Sequence, residues 1–161
     1  MNSIKTYIGL GSNQGDSIEN IKNATNYIFS IFHKNNCRTS KLYSTTPVHA
    51  TGPNFTNSVM EIYLTDSPTN LLDKLQKIEN KFGRTRPYKN APRTLDIDIL
   101  LYSNRIIQDN DNLIIPHPRM HERLFVLKPL QDLEPNIELP IYGNINNLIK
   151  KLQNQEVDVI E

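Results

Sequence analysis

Between residues 4 and 102 the apolar side chains follow two periods in a fixed order, which restricts the fold more than any single motif. Residues 4–10 alternate as a strand does, and Gly11-Ser12-Asn13-Gln14-Gly15 supplies a turn after them. Over 17–33, Ile18, Ile21, Ile28, Ile31 and Phe32 recur on one helical face, with Asp16 or Ser17 as the N-cap. Cys37, Leu42, Tyr43 and several hydroxyl residues make 37–45 a strand. Residues 55–64 alternate again, Val59 and Tyr63 against Met60, Ile62 and Leu64. Ser67 as N-cap and Pro68 in the first turn open a second helix with the stripe Leu71, Leu72, Leu75, Ile78 and Phe82, stopped by Gly83. Residues 94–102 form one more strand.

Six elements in the order βαββαβ give an α+β protein of ferredoxin-like arrangement, with two helices on one face of an antiparallel sheet. The other face is left for loops or a site. Further on lie the apolar residues 113–115, a helical run from about 119 to 127, and a stretch with Ile145, Leu148, Ile149 and Leu152. These are expected to pack on the core as C-terminal additions. The length of 161 residues suits one domain spanning 1–161.

Lys and Arg number 18 against 17 Asp and Glu, a net charge of +1, which argues against a globally basic nucleic-acid binder. No apolar run is long enough to cross a membrane, and the polar start lacks a signal-peptide core. Cys37 stands alone, so neither an internal disulfide nor a zinc cage is available, and a cytoplasmic location is expected. Gly9-Leu10-Gly11 precedes a helix, but the third glycine of a dinucleotide fingerprint is replaced by Gln14.

The segment 93–101 is the most informative for chemistry. On a strand Leu95, Ile97, Ile99 and Leu101 share one face, and Asp96 and Asp98 share the other, about 6.5–7 Å apart at ~3.3 Å per residue. Two carboxylates so placed repel unless water or a cation compensates them. Magnesium is well served by one or two carboxylates together with phosphate oxygens, so a metal-phosphate site is one reading and a solvated sheet edge the other. Arg84, Arg86, Lys89 and Arg93 precede the pair with no acid among them, in a stretch rich in Gly, Pro and Asn. That loop suits bidentate phosphate binding, or is simply a solvated basic loop. Glu79 lies at the margin of the second helix's stripe, and His117 is held between Pro116 and Pro118.

Together these segments resemble the 6-hydroxymethyl-7,8-dihydropterin pyrophosphokinase family. The likeness runs through Tyr7 to Asn13, Tyr43 to Val48, Phe55-Thr56-Asn57, Glu79 to Arg86, Pro92 to Leu100 and Pro116 to Leu127. It implies a ferredoxin-like fold and transfer of the β,γ-diphosphate of ATP to the pterin hydroxymethyl oxygen, releasing AMP. It further implies that Asp96 and Asp98 hold two magnesium ions, and that Arg84, Arg86 and Arg93 clamp the phosphates. Gln76, Glu79, Ile99, His117 and Arg123 would border the ATP. The pterin would lie against Phe55 and Phe125, its polar edge read by Asn57 and the chain around Thr45, Pro47 and Val48. The chain has no Trp and reads Tyr88-Lys89-Asn90-Ala91 where relatives often carry one.

Partners on this reading are ATP and the pterin, with no nucleic acid, no membrane and a monomeric chain. An RNA-binding module on the same sheet is a rival, opposed by two aspartates on the site strand. A magnesium-nucleotide transferase releasing ADP is another, which spacing alone does not separate.

Overall fold

The computed structural model describes residues 3–47, 52–83, 94–109 and 112–160. β1 (Ile4–Ser12) leads into α1 (Ser17–Phe32), capped by Asp16, whose Oδ1 accepts the Glu19 N–H at 3.1 Å. The strand expected over 37–45 is instead two, β2 (Cys37–Thr39) and β3 (Tyr43–Thr45). Between them the chain has one residue more than the strand it pairs with, and Ser40 Oγ takes the Val59 N–H at 2.9 Å. β4 (Phe55–Leu64) has its expected bounds. α2 (Pro68–Lys81) starts at the Ser67 cap and stops before Gly83, whose φ of +76° is the left-handed conformation that glycine adopts without strain. β5 (Asp96–Tyr102) follows.

The main sheet has β5 at one edge, then β1 and β4, with β3 and β2 both paired to β4, every neighbour antiparallel. A terminal strand, β10 (Asp158–Val159), closes on β3. Small hairpins lie apart from it: β6 (Ile107–Asp109) with β7 (Leu113–Ile115), and β8 (Glu138–Leu139) with β9 (Gly143–Asn144). α3 (Leu124–Leu133) and α4 (Ile145–Lys150) complete the elements. The helical run expected from 119 divides into a 3-10 turn (Met120–Glu122) and α3, because Arg123 is extended (φ −119°, ψ 104°). Among the described residues no helix is long and apolar enough to cross a membrane.

Each sheet face carries its own core. α1 and α2 cover the first through Ile21, Ile28, Leu71, Leu75 and Ile78, packed on Ile8, Met60, Ile62, Ile97 and Ile99. α3 and α4 cover part of the second through Leu124, Leu127, Leu130, Ile145 and Leu148, packed on Tyr7, Val59, Leu100 and Leu101. Thus the second face is not left wholly to loops. Leu101 also departs from expectation. The register jumps between Ile8–Ile99 and Tyr7–Leu101, so Leu100 is an extra residue and Leu101 turns away from Ile97 and Ile99 into the second core.

Candidate active site

Past the cover of α3, the second face continues on the same three strands with different residues. Residues paired across antiparallel strands share a face. Gly9 lies between Val59 and Asp98, and Gly11 between Asn57 and Asp96. The Leu100 side chain fills the space over Gly9, 3.5 Å from where a Cβ would stand, so the floor nearer the aspartates is Gly11. A Cβ on Gly11 would come within 3.2 Å of Asn57 Oδ1 and 3.6 Å of the Phe55 ring. The absence of that atom lets Phe55 and the Asn57 amide lie close over β1. Asn57 Nδ2 donates to Thr45 Oγ1 at 3.1 Å, which holds the amide with its oxygen toward Gly11. Thr45 and Asn57 are buried, and Pro47 and Phe55 half-buried.

Asp96 is half-buried, and the Asp98 side chain is 51% exposed. His117 Nε2 stands 3.9 Å from Asp98 Oδ2. The His117 N–H donates to Leu100 O at 3.0 Å, and its Nδ1 accepts the Arg119 N–H at 3.1 Å, so the neutral ring carries its proton on Nε2 toward Asp98. Burial lowers the His117 pKa below its ordinary value. Asp98 opposes that shift, while Arg123 and Arg119 add to it. The imidazole is therefore a neutral donor near pH ~7. Arg123 lies 5.5 Å from the Phe125 ring centroid, and Phe125 is half-buried beside the second core. Phe55 on β4 and Phe125 on α3 belong to two elements that pack together.

Of the other expected nucleotide residues, Gln76 is exposed on α2. Ile99 is only 6% exposed, with its side chain in the first core, so what it can offer a ligand is backbone. Glu79 is 5% exposed and accepts the Ile97 N–H at 2.7 Å. Val48, Arg84, Arg86 and Arg93 lie outside the described residues.

The role of Gly11 under Asn57 and Phe55 was not read from the sequence, where Gly9 and Gly11 stood in a failed dinucleotide fingerprint and in the likeness over 7–13, and Gly11 in a turn. Their signal was a pair of glycines two apart on a strand, a mark of close approach. Asn13 was read only as a turn residue and as part of the likeness over 7–13. It is buried, and its Nδ2 donates to Pro53 O at 3.2 Å, tying the loop before β4 to the end of β1.

No group of three or more His, Cys, Asp or Glu among the described residues could hold a metal alone. Two carboxylates on one face, one of them well exposed, instead suit magnesium, which keeps waters and shares phosphate oxygens.

Residues 7–135 match the family described as 7,8-dihydro-6-hydroxymethylpterin-pyrophosphokinase. The chain is 39% identical over 155 residues to the 2-amino-4-hydroxy-6-hydroxymethyldihydropteridine pyrophosphokinase of Haemophilus influenzae, covering 96% of each. It is 41% identical over 139 residues to the Bacillus subtilis protein of the same description, covering 86% of this chain and 82% of that relative. A crystal structure of an HPPK-DHPS in complex with substrates has a similar fold, with a TM-score of 0.73 at 13% identity. The likeness covers 94% of this chain and 43% of that longer one.

Proposed function

The chain belongs to the 7,8-dihydro-6-hydroxymethylpterin pyrophosphokinase family and is a pyrophosphokinase of folate biosynthesis, and from that premise we propose how its site works. ATP donates its β,γ-diphosphate to the hydroxymethyl oxygen of 6-hydroxymethyl-7,8-dihydropterin. The new bond joins that oxygen to the β-phosphorus, the α,β-bridge bond breaks, AMP leaves, and the hydroxyl proton is released. The observation that carries this reading is the placement of Asp96 and Asp98 opposite Gly11 and Gly9, on the same face as Phe55 and Asn57.

Asp96 and Asp98 would hold two magnesium ions. When bound, these offset phosphate charge and orient the transferred group. His117 presents an N–H beside Asp98, suited to a phosphate oxygen, and Arg123 adds positive charge nearby. Arg84, Arg86 and Arg93 act as phosphate clamps, with Gln76, Glu79 and the Ile99 backbone along the nucleotide side. The pterin ring is received by Phe55 and Phe125, and its polar edge by Asn57 and the chain at Thr45, Pro47 and Val48. The work of these residues is positioning, since a phosphoryl-type transfer needs alignment and charge neutralisation above all.

We also read the strand order β5–β1–β4–β3, with α1 and α2 on one face, as ferredoxin-like. Residues 1–161 act as one domain, a monomer in the cytoplasm that engages no nucleic acid. The single domain is supported by one sheet underlying both cores.

The test is incubation of purified protein with ATP and magnesium, with and without the pterin, followed by separation of the nucleotides. Pterin-dependent AMP is the expected result. ADP in its place would overturn diphosphate transfer.

A further inference from the structure

We infer that Glu79 is a positioning residue for the Asp96–Asp98 pair, acting through the backbone N–H of Ile97. The inference rests on those aspartates being the magnesium ligands. β5 is an edge strand of the main sheet, so half of its backbone groups face away from β1 and, among the described residues, have no strand to receive them. Two other parts of the chain take that role. The His117 N–H donates to Leu100 O, and the Glu79 carboxylate accepts from Ile97 N at 2.7 Å.

Ile97 is the residue between the two aspartates. Its side chain is buried in the first core, and in the ladder it faces Leu10, while its neighbours face Gly11 and Gly9. Fixing its N–H therefore fixes the strand between the two carboxylates, from the free edge of β5. The acceptor comes from a helix residue that is itself 5% exposed. An apolar residue at this stripe position would bury without the cost of desolvating a carboxyl group, but could not accept the Ile97 N–H. As an acceptor Glu79 offers two oxygens, one of which takes the Ile97 N–H at 2.7 Å. Partners behind metal ligands typically change metal affinity by about 10- to 100-fold when removed.

The experiment compares Glu79→Met, Glu79→Gln and Asp96→Asn with the unaltered chain. Mn2+ binding in the presence of a non-hydrolysable ATP analogue is followed by electron paramagnetic resonance, and the Ile97 amide by hydrogen exchange. Glu79→Met, which fills the space without an acceptor, should weaken Mn2+ binding about 10-fold and speed exchange at Ile97. Glu79→Gln keeps an acceptor and should restore binding to within about twofold. Faster Ile97 exchange with unchanged Mn2+ binding in Glu79→Met overturns the inference, as does a Glu79→Gln chain no better than Glu79→Met. If Glu79→Met does not fold, Glu79→Ala takes its place, and faster Ile97 exchange without any weakening of Mn2+ binding in that variant overturns the inference. Asp96→Asn separates the premise, because unchanged Mn2+ binding there removes the metal reading itself.

Discussion

The second sheet face treats its carboxylates in two ways. At one end Arg38, Glu61 and Tyr7 stand in a row across β2, β4 and β1. Glu61 is 2% exposed and accepts from Tyr7 Oη at 2.8 Å, Arg38 Nε at 2.9 Å and Arg38 Nη2 at 2.7 Å. The same guanidinium reaches Leu133 O at the end of α3, and Tyr43 Oη donates to Asp132 of that helix at 2.7 Å. These bonds fix α3 over the sheet. At the other end β4, β1 and β5 carry Asn57, Gly9, Gly11, Asp96 and Asp98, and among the described residues the ion-pair partner of Asp98 is His117 at 3.9 Å. Where a carboxylate serves the fold, its cation is built in. At the proposed magnesium end the Asp98 side chain is instead 51% exposed, and its contact with His117 is a longer one, at 3.9 Å.

The largest effect should separate the ends cleanly. Asp96→Ala or Asp98→Ala is expected to lower turnover about 1,000-fold or more, since charge stabilisation by a bound metal is worth several kcal/mol in the transition state. Thermal melting should stay near that of the unaltered chain. Near-normal turnover in either variant would break the contrast. Glu61→Leu should show the opposite pattern. Removing the shared acceptor leaves the Tyr7 hydroxyl and the Arg38 guanidinium without their partner, a loss of about 3 kcal/mol in urea unfolding, with turnover of the folded protein unchanged. If turnover fell as steeply as for the aspartates, the two ends would not be independent.

How much of this was legible in the sequence follows from what periodicity can carry. Period two over 94–102 was enough to put Asp96 and Asp98 on one face. The Ser67-Pro68 start and the Gly83 stop of α2 are local chemistry and were read correctly. The extra residues at 40–42 and at Leu100 were not, because a one-residue register shift depends on the partner strand and leaves no compositional mark. Leu101 consequently changed faces. The place of α3 is also a long-range result, fixed by Arg38 and Asp132, which stand 95 and 91 residues from their partners Leu133 and Lys41. Glu79 showed only as a charge beside an apolar stripe, and its role depends on a strand 18 residues further on.

A smaller effect tests the floor beside the aspartates. Gly11→Ala would bring a methyl to 3.2 Å from Asn57 Oδ1, and the amide must give way. Overpacking of this kind costs about 1–3 kcal/mol where neighbours cannot move. Because Asn57 is a proposed pterin contact, the KM for pterin should rise about 10-fold while that for ATP holds, a loss inside the same range. An equal rise in both would assign the glycine to folding.

The smallest effect is the pH dependence of the covered end. Burial is the strongest influence on Glu61 and resists its ionisation, but hydrogen bonds from Arg38 and Tyr7, with the charges of Arg38 and Lys5, outweigh it and hold its pKa below the ordinary glutamate value. The Tyr7 phenol is pushed well above its usual range, by burial first and then by Glu61, so it remains a donor to that carboxylate throughout. A group that titrates lower when folded takes up protons more readily when unfolded. Its contribution to stability is therefore complete above the unfolded value of ~4.3 and is lost as the pH falls through the folded value. The stability gap between the unaltered chain and Glu61→Gln, read from urea midpoints, should be constant near neutrality and shrink only in that acid window. A gap that narrows already between about pH 7 and pH 6, where an ordinary histidine titrates, would mean that a group other than Glu61 controls the attachment of α3.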